Sequence, residues 1–113
     1  MTTFEDVRHN AEIRAYMRKG NDNLGVLGFT EHASAHAMRV SNTAADILRA
    51  LGHGAREIEL AQIAGYMHDI GNCINRTDHA HTGAIMAMQI LRGMGMAPEE
   101  MAMVIAAIGN HDE

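Results

Sequence analysis

The sequence predicts an all-α helical bundle, and three observations carry that expectation. Ala, Met, Leu and Ile fill most of the hydrophobic 47% of the chain, whereas aromatics are 4% and proline occurs once. This is helix-forming stock that leaves few β-branched or aromatic residues for strands. Apolar residues recur at i, i+3, i+4 and i+7 through successive segments. Cap residues and glycines punctuate those segments, with no Pro/Ser-rich linker or repeat between them.

In order, the first helix is expected from Thr3 to Lys19. Thr3 and Asp6 form a capping-box pattern, and Phe4, Val7, Ala11, Ile13, Tyr16 and Met17 lie in phase. Gly20-Asn21-Asp22-Asn23 reads as punctuation. Thr30 is placed to cap a long helix from Glu31 to Leu51, closed by Gly52. Its expected inward stripe is Ala33, His36, Ala37, Val40, Ala44, Ile47, Leu48 and Leu51. A third helix runs from Ala55 to Ile70 and ends at Gly71. Thr77 or Asp78 caps a fourth through Arg92. Pro98 opens a fifth, with Glu99 and Glu100 in its first turn, and this helix continues near His111. About five helices result, in a single domain over 1–113, which suits 113 residues. The stop at Asn110-His111-Asp112-Glu113, amid polar residues, predicts that a C-terminal part is missing. An apolar, Met-rich face left uncovered there would favour a homo-oligomer.

Composition also excludes function classes. The net charge of −5 disfavours binding of a nucleic-acid duplex or an anionic membrane. No apolar run approaches the roughly 20 residues of a membrane span, and the N-terminus has no signal-peptide core. Cys73 is the single cysteine and cannot form an internal disulfide, which fits a reducing, cytoplasmic location. Eight histidines stand against one lysine, Lys19, so imidazole chemistry is abundant and lysine chemistry is not.

His36, His68, Asp69, His79 and His111 lie on four different helices or helix ends. His36, His68 and His111 fall in the apolar phase of their segments, so the set converges on the bundle interior. Burying several imidazoles and a carboxylate is costly unless a partner satisfies them. A divalent metal is such a partner, since neutral imidazole and carboxylate are its natural N/O ligands. Helical neighbours diverge by about 100°, so His68 and Asp69 reach one ion only from either side of it, or Asp69 bridges two. His32, one turn before His36, is a further ligand or a residue that orients one. His81 and Asp112 are weaker candidates. His9 and His53 read as solvent-exposed, and the methionines as core filler rather than soft metal ligands.

The ordered pair of segments His36-Ala-Met-Arg-Val and Met67-His68-Asp69-Ile70-Gly71 resembles the HD-domain metal-dependent phosphohydrolases, named for the His-Asp doublet. The resemblance covers residues 30–113. His79-Ala-His-Thr-Gly-Ala is similar to the His-x-x-x-Gly-Ala segment of the HD-GYP branch, and Asn110-His111-Asp112-Glu113 to its His-His-Glu segment. Asn72 stands where that branch often has Lys, and the Gly-Tyr-Pro motif is absent. The resemblance implies an HD bundle with His36, His68, Asp69, His79 and His111 as ligands of about one or two divalent ions (Fe, Mn, Mg, Ni or Zn). It further implies hydrolysis of a phosphomonoester, phosphodiester or nucleotide by a metal-activated water. In that reading Asp69 holds or bridges the metal, and His32 or His81 is available as general base. Arg39 either contacts substrate phosphate or forms a surface salt bridge with Glu31 or Asp46. Arg76, in the loop after the doublet, is a second arginine of the same kind. The alternative is a degenerate HD domain that binds metal or nucleotide as a sensor or interaction module without turnover.

Overall fold

A computed structural model describes residues 1–26 and 33–111. Thr30, Glu31, His32, Asp112 and Glu113 lie outside the described residues, and with them the expected Thr30 cap and the His32 and Asp112 candidates. Six α-helices follow in order: α1 Phe4–Arg8, α2 Ala11–Val26, α3 Ala33–Ala50, α4 Ala55–Met67, α5 His79–Gly93 and α6 Pro98–Gly109. A 3-10 turn, Ile70–Cys73, lies between α4 and α5. No strand occurs among the described residues, so the all-α bundle holds. Among them, no helix is long and apolar enough to cross a membrane.

The expected first helix is two helices. The Thr3 capping box forms at the start of α1, with Asp6 N–H donating to Thr3 Oγ1 at 3.1 Å and Thr3 N–H to Asp6 Oδ2 at 2.9 Å. Asn10 then accepts from Ile13 N–H through Oδ1 at 2.9 Å. A side chain that caps a new helix competes with continuing the old one, which is why the chain breaks at His9-Asn10.

The expected punctuation at Gly20-Asn21-Asp22-Asn23 is helical, inside α2. Tertiary contact overrides local turn preference there. A Cβ at Gly20 would sit 3.2 Å from Asn72 Cβ and from Cys73 N, so glycine lets α2 lie close against the 3-10 turn. Asn23 Nδ2 donates to the carbonyls of Asn72 (3.0 Å) and Cys73 (3.1 Å), satisfying groups that the short turn leaves open.

Helix α4 is the centre of the molecule, buried throughout from Ile63 to Met67. It packs against α3, α6 and α1. The α3 face against it differs from the expected stripe: Ala37, Ser41 and Ala45 are buried, whereas Ile47 and Leu51 are 53% and 70% exposed. A Cβ at Gly65 would meet Ser41 Cα at 3.2 Å, so backbones set the approach and small residues define the seam. Ile47 lies two residues past Ala45, about 200° round the helix and so away from α4. Gly52, with φ 82°, closes α3 as expected. Met67, Met96 and Met101 are buried in the core, as core filler should be, while Met103 is exposed.

Two helix ends near the site also differ. Asp78 occupies the cap position of α5 but adopts left-handed φ 58° and makes no side-chain cap bond. Its carboxylate instead faces His81 Nδ1 at 2.7 Å. Helix α6 ends at Gly109 rather than running on to His111, with Asn110 as its C-cap.

Candidate metal centre

The doublet lies past the end of α4, not on a regular helix. His68 is the C-cap, and Asp69 leads into the 3-10 turn with φ −105° and ψ 12°. This change of winding removes the divergence of helical neighbours, and His68 Nε2 comes within 3.0 Å of Asp69 Oδ2. Helix α3 brings His36 to the same oxygen, at 3.5 Å. On the other side, His79 Nε2 lies 3.1 Å and His111 Nε2 3.5 Å from Asp69 Oδ1. The five residues form two groups that share one carboxylate: His36, His68 and Asp69, and Asp69, His79 and His111.

Two glycines bring the second group in. A Cβ at Gly71 would overlap the His79 carbonyl oxygen and sit 2.8 Å from Gly83 N, and a Cβ at Gly83 would sit 3.1 Å from Gly71 N. The 3-10 turn and the start of α5 meet mainly backbone to backbone, and that contact sets His79 beside Asp69.

Backbone carbonyls fix the rings. Nδ1–H donates to Gly65 O from His68 (2.7 Å), to Arg76 O from His79 (3.0 Å) and to Ile108 O from His111 (2.6 Å). A neutral ring whose Nδ1 carries the proton has a bare lone pair at Nε2. The lone pairs of His79 and His111 face one another with their Nε2 atoms 3.1 Å apart, and His36 Nε2 lies 3.2 Å from His68 Nε2. Acceptors aimed at acceptors around a carboxylate are stable only with positive charge between them. Protons can supply it, and so can a divalent metal, for which this N/O donor set is well suited.

Electrostatics point the same way. Burial opposes ionisation of Asp69, but the hydrogen bond and charge of His68, with His79 and Arg76, outweigh it and hold the carboxyl well below its usual range. Burial likewise disfavours charge on His68, yet its bond to Asp69 raises the ring above the ordinary value. Asp69 is therefore anionic at neutral pH, as a ligand must be.

A cavity of about 320 Å³ opens beside Asp69, lined by His36, His68, Tyr66, Ile70 and Arg76 and by Met17 and Leu24 of α2. Arg76 Nη1 is 3.8 Å from Asp69 Oδ1. Arg39 is exposed on α3, whereas Arg76 is the arginine that the fold places at this cavity. Sequence reasoning ranked the two the other way. The signal that could have corrected it is position: Arg76 is three residues before His79 in the loop that must wrap the site. Of the two salt-bridge partners expected for Arg39, Asp46 pairs with Arg49 at 3.2 Å, and Glu31 lies outside the described residues. His81 is exposed and turned to Asp78, away from the cluster. His9 and His53 pair with Glu5 and Glu57 on the surface.

A helical bundle with a His/Asp cluster gathered at its helix ends defines an α-helical domain whose side chains could hold a divalent metal. The family model for the HD domain matches residues 34–113, and the chain belongs to that family, a superfamily of metal-dependent phosphohydrolases. It is similar to an uncharacterized protein of Methanocaldococcus jannaschii, 24% identical over 106 residues. That alignment takes in 80% of this chain and 41% of the relative, so the chain spans about two fifths of that protein's length. No solved structure matches the chain significantly.

Proposed function

We propose that this HD domain hydrolyses a phosphate ester of a small molecule or nucleotide, with one or two divalent ions held by His36, His68, Asp69, His79 and His111. The observation that carries the reading is Asp69, whose two oxygens each face a separate pair of imidazoles. Divalent ions bound there supply Lewis-acid polarisation of a phosphoryl oxygen and a water activated near neutral pH. Imidazole favours Fe, Ni and Zn and the carboxylate favours Mn and Mg, and geometry and supply select among them.

The chain's own residues do the rest. His68, His79 and His111 present Nε2 in fixed orientation because their Nδ1 protons are committed to backbone carbonyls. Asp69 bridges the two groups. Arg76 offers a planar donor fork to a phosphoryl oxygen at the mouth of the cavity. Tyr66, Ile70, Met17 and Leu24 exclude water from one side of it. His32 remains a proposed general base. The reading is tested by purifying the protein without chelators or a His-tag, measuring bound metal, and assaying phosphate release from a panel of esters with and without added Mn²⁺. Metal-dependent release that is lost in Asp69→Asn supports it. Metal binding with no turnover of any ester would replace it with the sensor reading, to which Asn72, in place of a lysine, lends support.

A further inference from the structure

The cavity at Asp69 continues outward. A second cavity, of about 450 Å³, shares Met17, Asn21 and Tyr66 with it, so the two form one cleft running along α2. The outer part is lined by Arg14, Arg18 and Ser34. Arg14 and Arg18 are four residues apart on one face of α2, a like-charge spacing that costs an isolated helix a little stability. Neither makes an ion pair among the described residues, and Asp22, which also lines this part, pairs with neither. The cleft therefore has three zones: the His/Asp cluster and Arg76 within, apolar Met17, Leu24, Tyr66 and Ile70 in the middle, and Arg14 and Arg18 with the Ser34 hydroxyl at the outer end. Helix α2 lies wholly outside residues 34–113, so Arg14 and Arg18 stand outside the matched region, whereas Ser34 and Tyr66 stand within it.

We infer that the substrate is a compact organic phosphate ester with a second anionic group at the end remote from the scissile phosphate, and that Arg14 and Arg18 bind that group. The inference rests on the proposed hydrolase reading, which places the scissile phosphate at Asp69. The middle zone accepts an apolar or flat body, and the paired guanidinium groups accept either a phosphate or a carboxylate. Two exposed arginines on one anion give about a tenfold gain in affinity, screened by salt.

The test is calorimetric and needs no turnover. Phenylphosphonate, 4-phosphonobenzoate and 1,4-phenylenediphosphonate are titrated into the Mn²⁺-loaded protein. The expected result is that one or both doubly anionic ligands bind about tenfold tighter than phenylphosphonate. Which of them does so tells carboxylate from phosphate. In the double variant Arg14→Ala/Arg18→Ala that advantage disappears while phenylphosphonate affinity stays the same. Equal binding of all three by the native protein, or an advantage that survives the double variant, overturns the inference and leaves the hydrolase reading standing. Binding of none of them, together with no phosphate release from any ester, overturns both.

Discussion

Gly71→Ala is the substitution that most directly probes how the fold builds the site. The added methyl would overlap the His79 carbonyl oxygen and lie 2.9 Å from its carbonyl carbon and 2.8 Å from Gly83 N. Ordinary contacts need about 3.5 Å, and the three nearest atoms are all backbone, so rotating a side chain does not relieve them. Relief requires the first turn of α5 to move off the 3-10 turn, which carries His79 away from Asp69. Overpacking of this kind costs about 1–3 kcal/mol or more. The metal consequence is larger in proportion, because a ring nitrogen must stand about 2.0–2.1 Å from its ion and a shift near 1 Å removes it as a ligand. Gly93→Ala is the control: nothing lies within 4 Å of a Cβ there, and alanine in a helix gains up to about 1 kcal/mol over glycine. Urea denaturation of both variants, with metal titration by calorimetry, reads the two effects separately. A Gly71→Ala protein as stable as Gly93→Ala, with native metal stoichiometry, would refute the backbone-contact account.

Other expectations follow from the same geometry. Ser41 Oγ is fully buried in the α3–α4 seam with no hydrogen-bond partner among the described residues, so Ser41→Ala leaves stability unchanged or raises it by about 1 kcal/mol in thermal unfolding; a loss of that size would reveal a partner. Arg56 donates to both oxygens of Glu100 (2.6 and 2.8 Å), to Glu59 (2.8 Å) and to Thr2 O (2.7 Å), tying the N-terminus to α4 and α6. Arg56→Ala therefore lowers the melting temperature clearly more than Arg49→Ala, whose pairing with Asp46 is exposed; equal effects contradict the network. Arg76→Ala raises KM for phosphate esters more than Arg39→Ala while metal content is kept, and the reverse ranking would return the phosphate role to Arg39. For the metal-free protein, His68 is raised, so its contribution is complete below the ordinary imidazole value of about 6.5 and is lost as pH rises through the raised one. Asp69 is depressed, so its contribution is present above about 3.9 and is lost only as pH falls through the lowered value. The pair thus favours the metal-free fold between about pH 4 and 6.5, whereas metal needs deprotonated rings. The rise in melting temperature on adding Zn²⁺ should be larger at pH 8 than at pH 5.5, and a larger rise at pH 5.5 would contradict a His-rich site.

Most of the helices, and three of the five residues of the cluster, were legible in the sequence because they rest on periodic signals. His36, His68 and His111 announce themselves by sitting in apolar phase. What was not legible depends on which backbones touch. Gly20 looks like punctuation by itself and is a contact point only because the 3-10 turn lies against it. Ile47 and Leu51 fit an apolar stripe, but the closeness of Gly65 to Ser41 turns α3 onto its small residues. The doublet was read on a continuous helix, and no local feature shows that winding changes at His68. Arg76 is in a loop, where periodicity says nothing about direction. Its place beside Asp69 follows from the close seating of α5 on the turn.

The proposed function requires that the two groups sharing Asp69 each hold an ion. Elemental mass spectrometry of the native protein, His79→Ala and Asp69→Asn, each saturated with Mn²⁺ and desalted, tests it most directly. Expected are up to two equivalents in the native protein, one fewer in His79→Ala, and none retained in Asp69→Asn. Native stoichiometry in Asp69→Asn would contradict it.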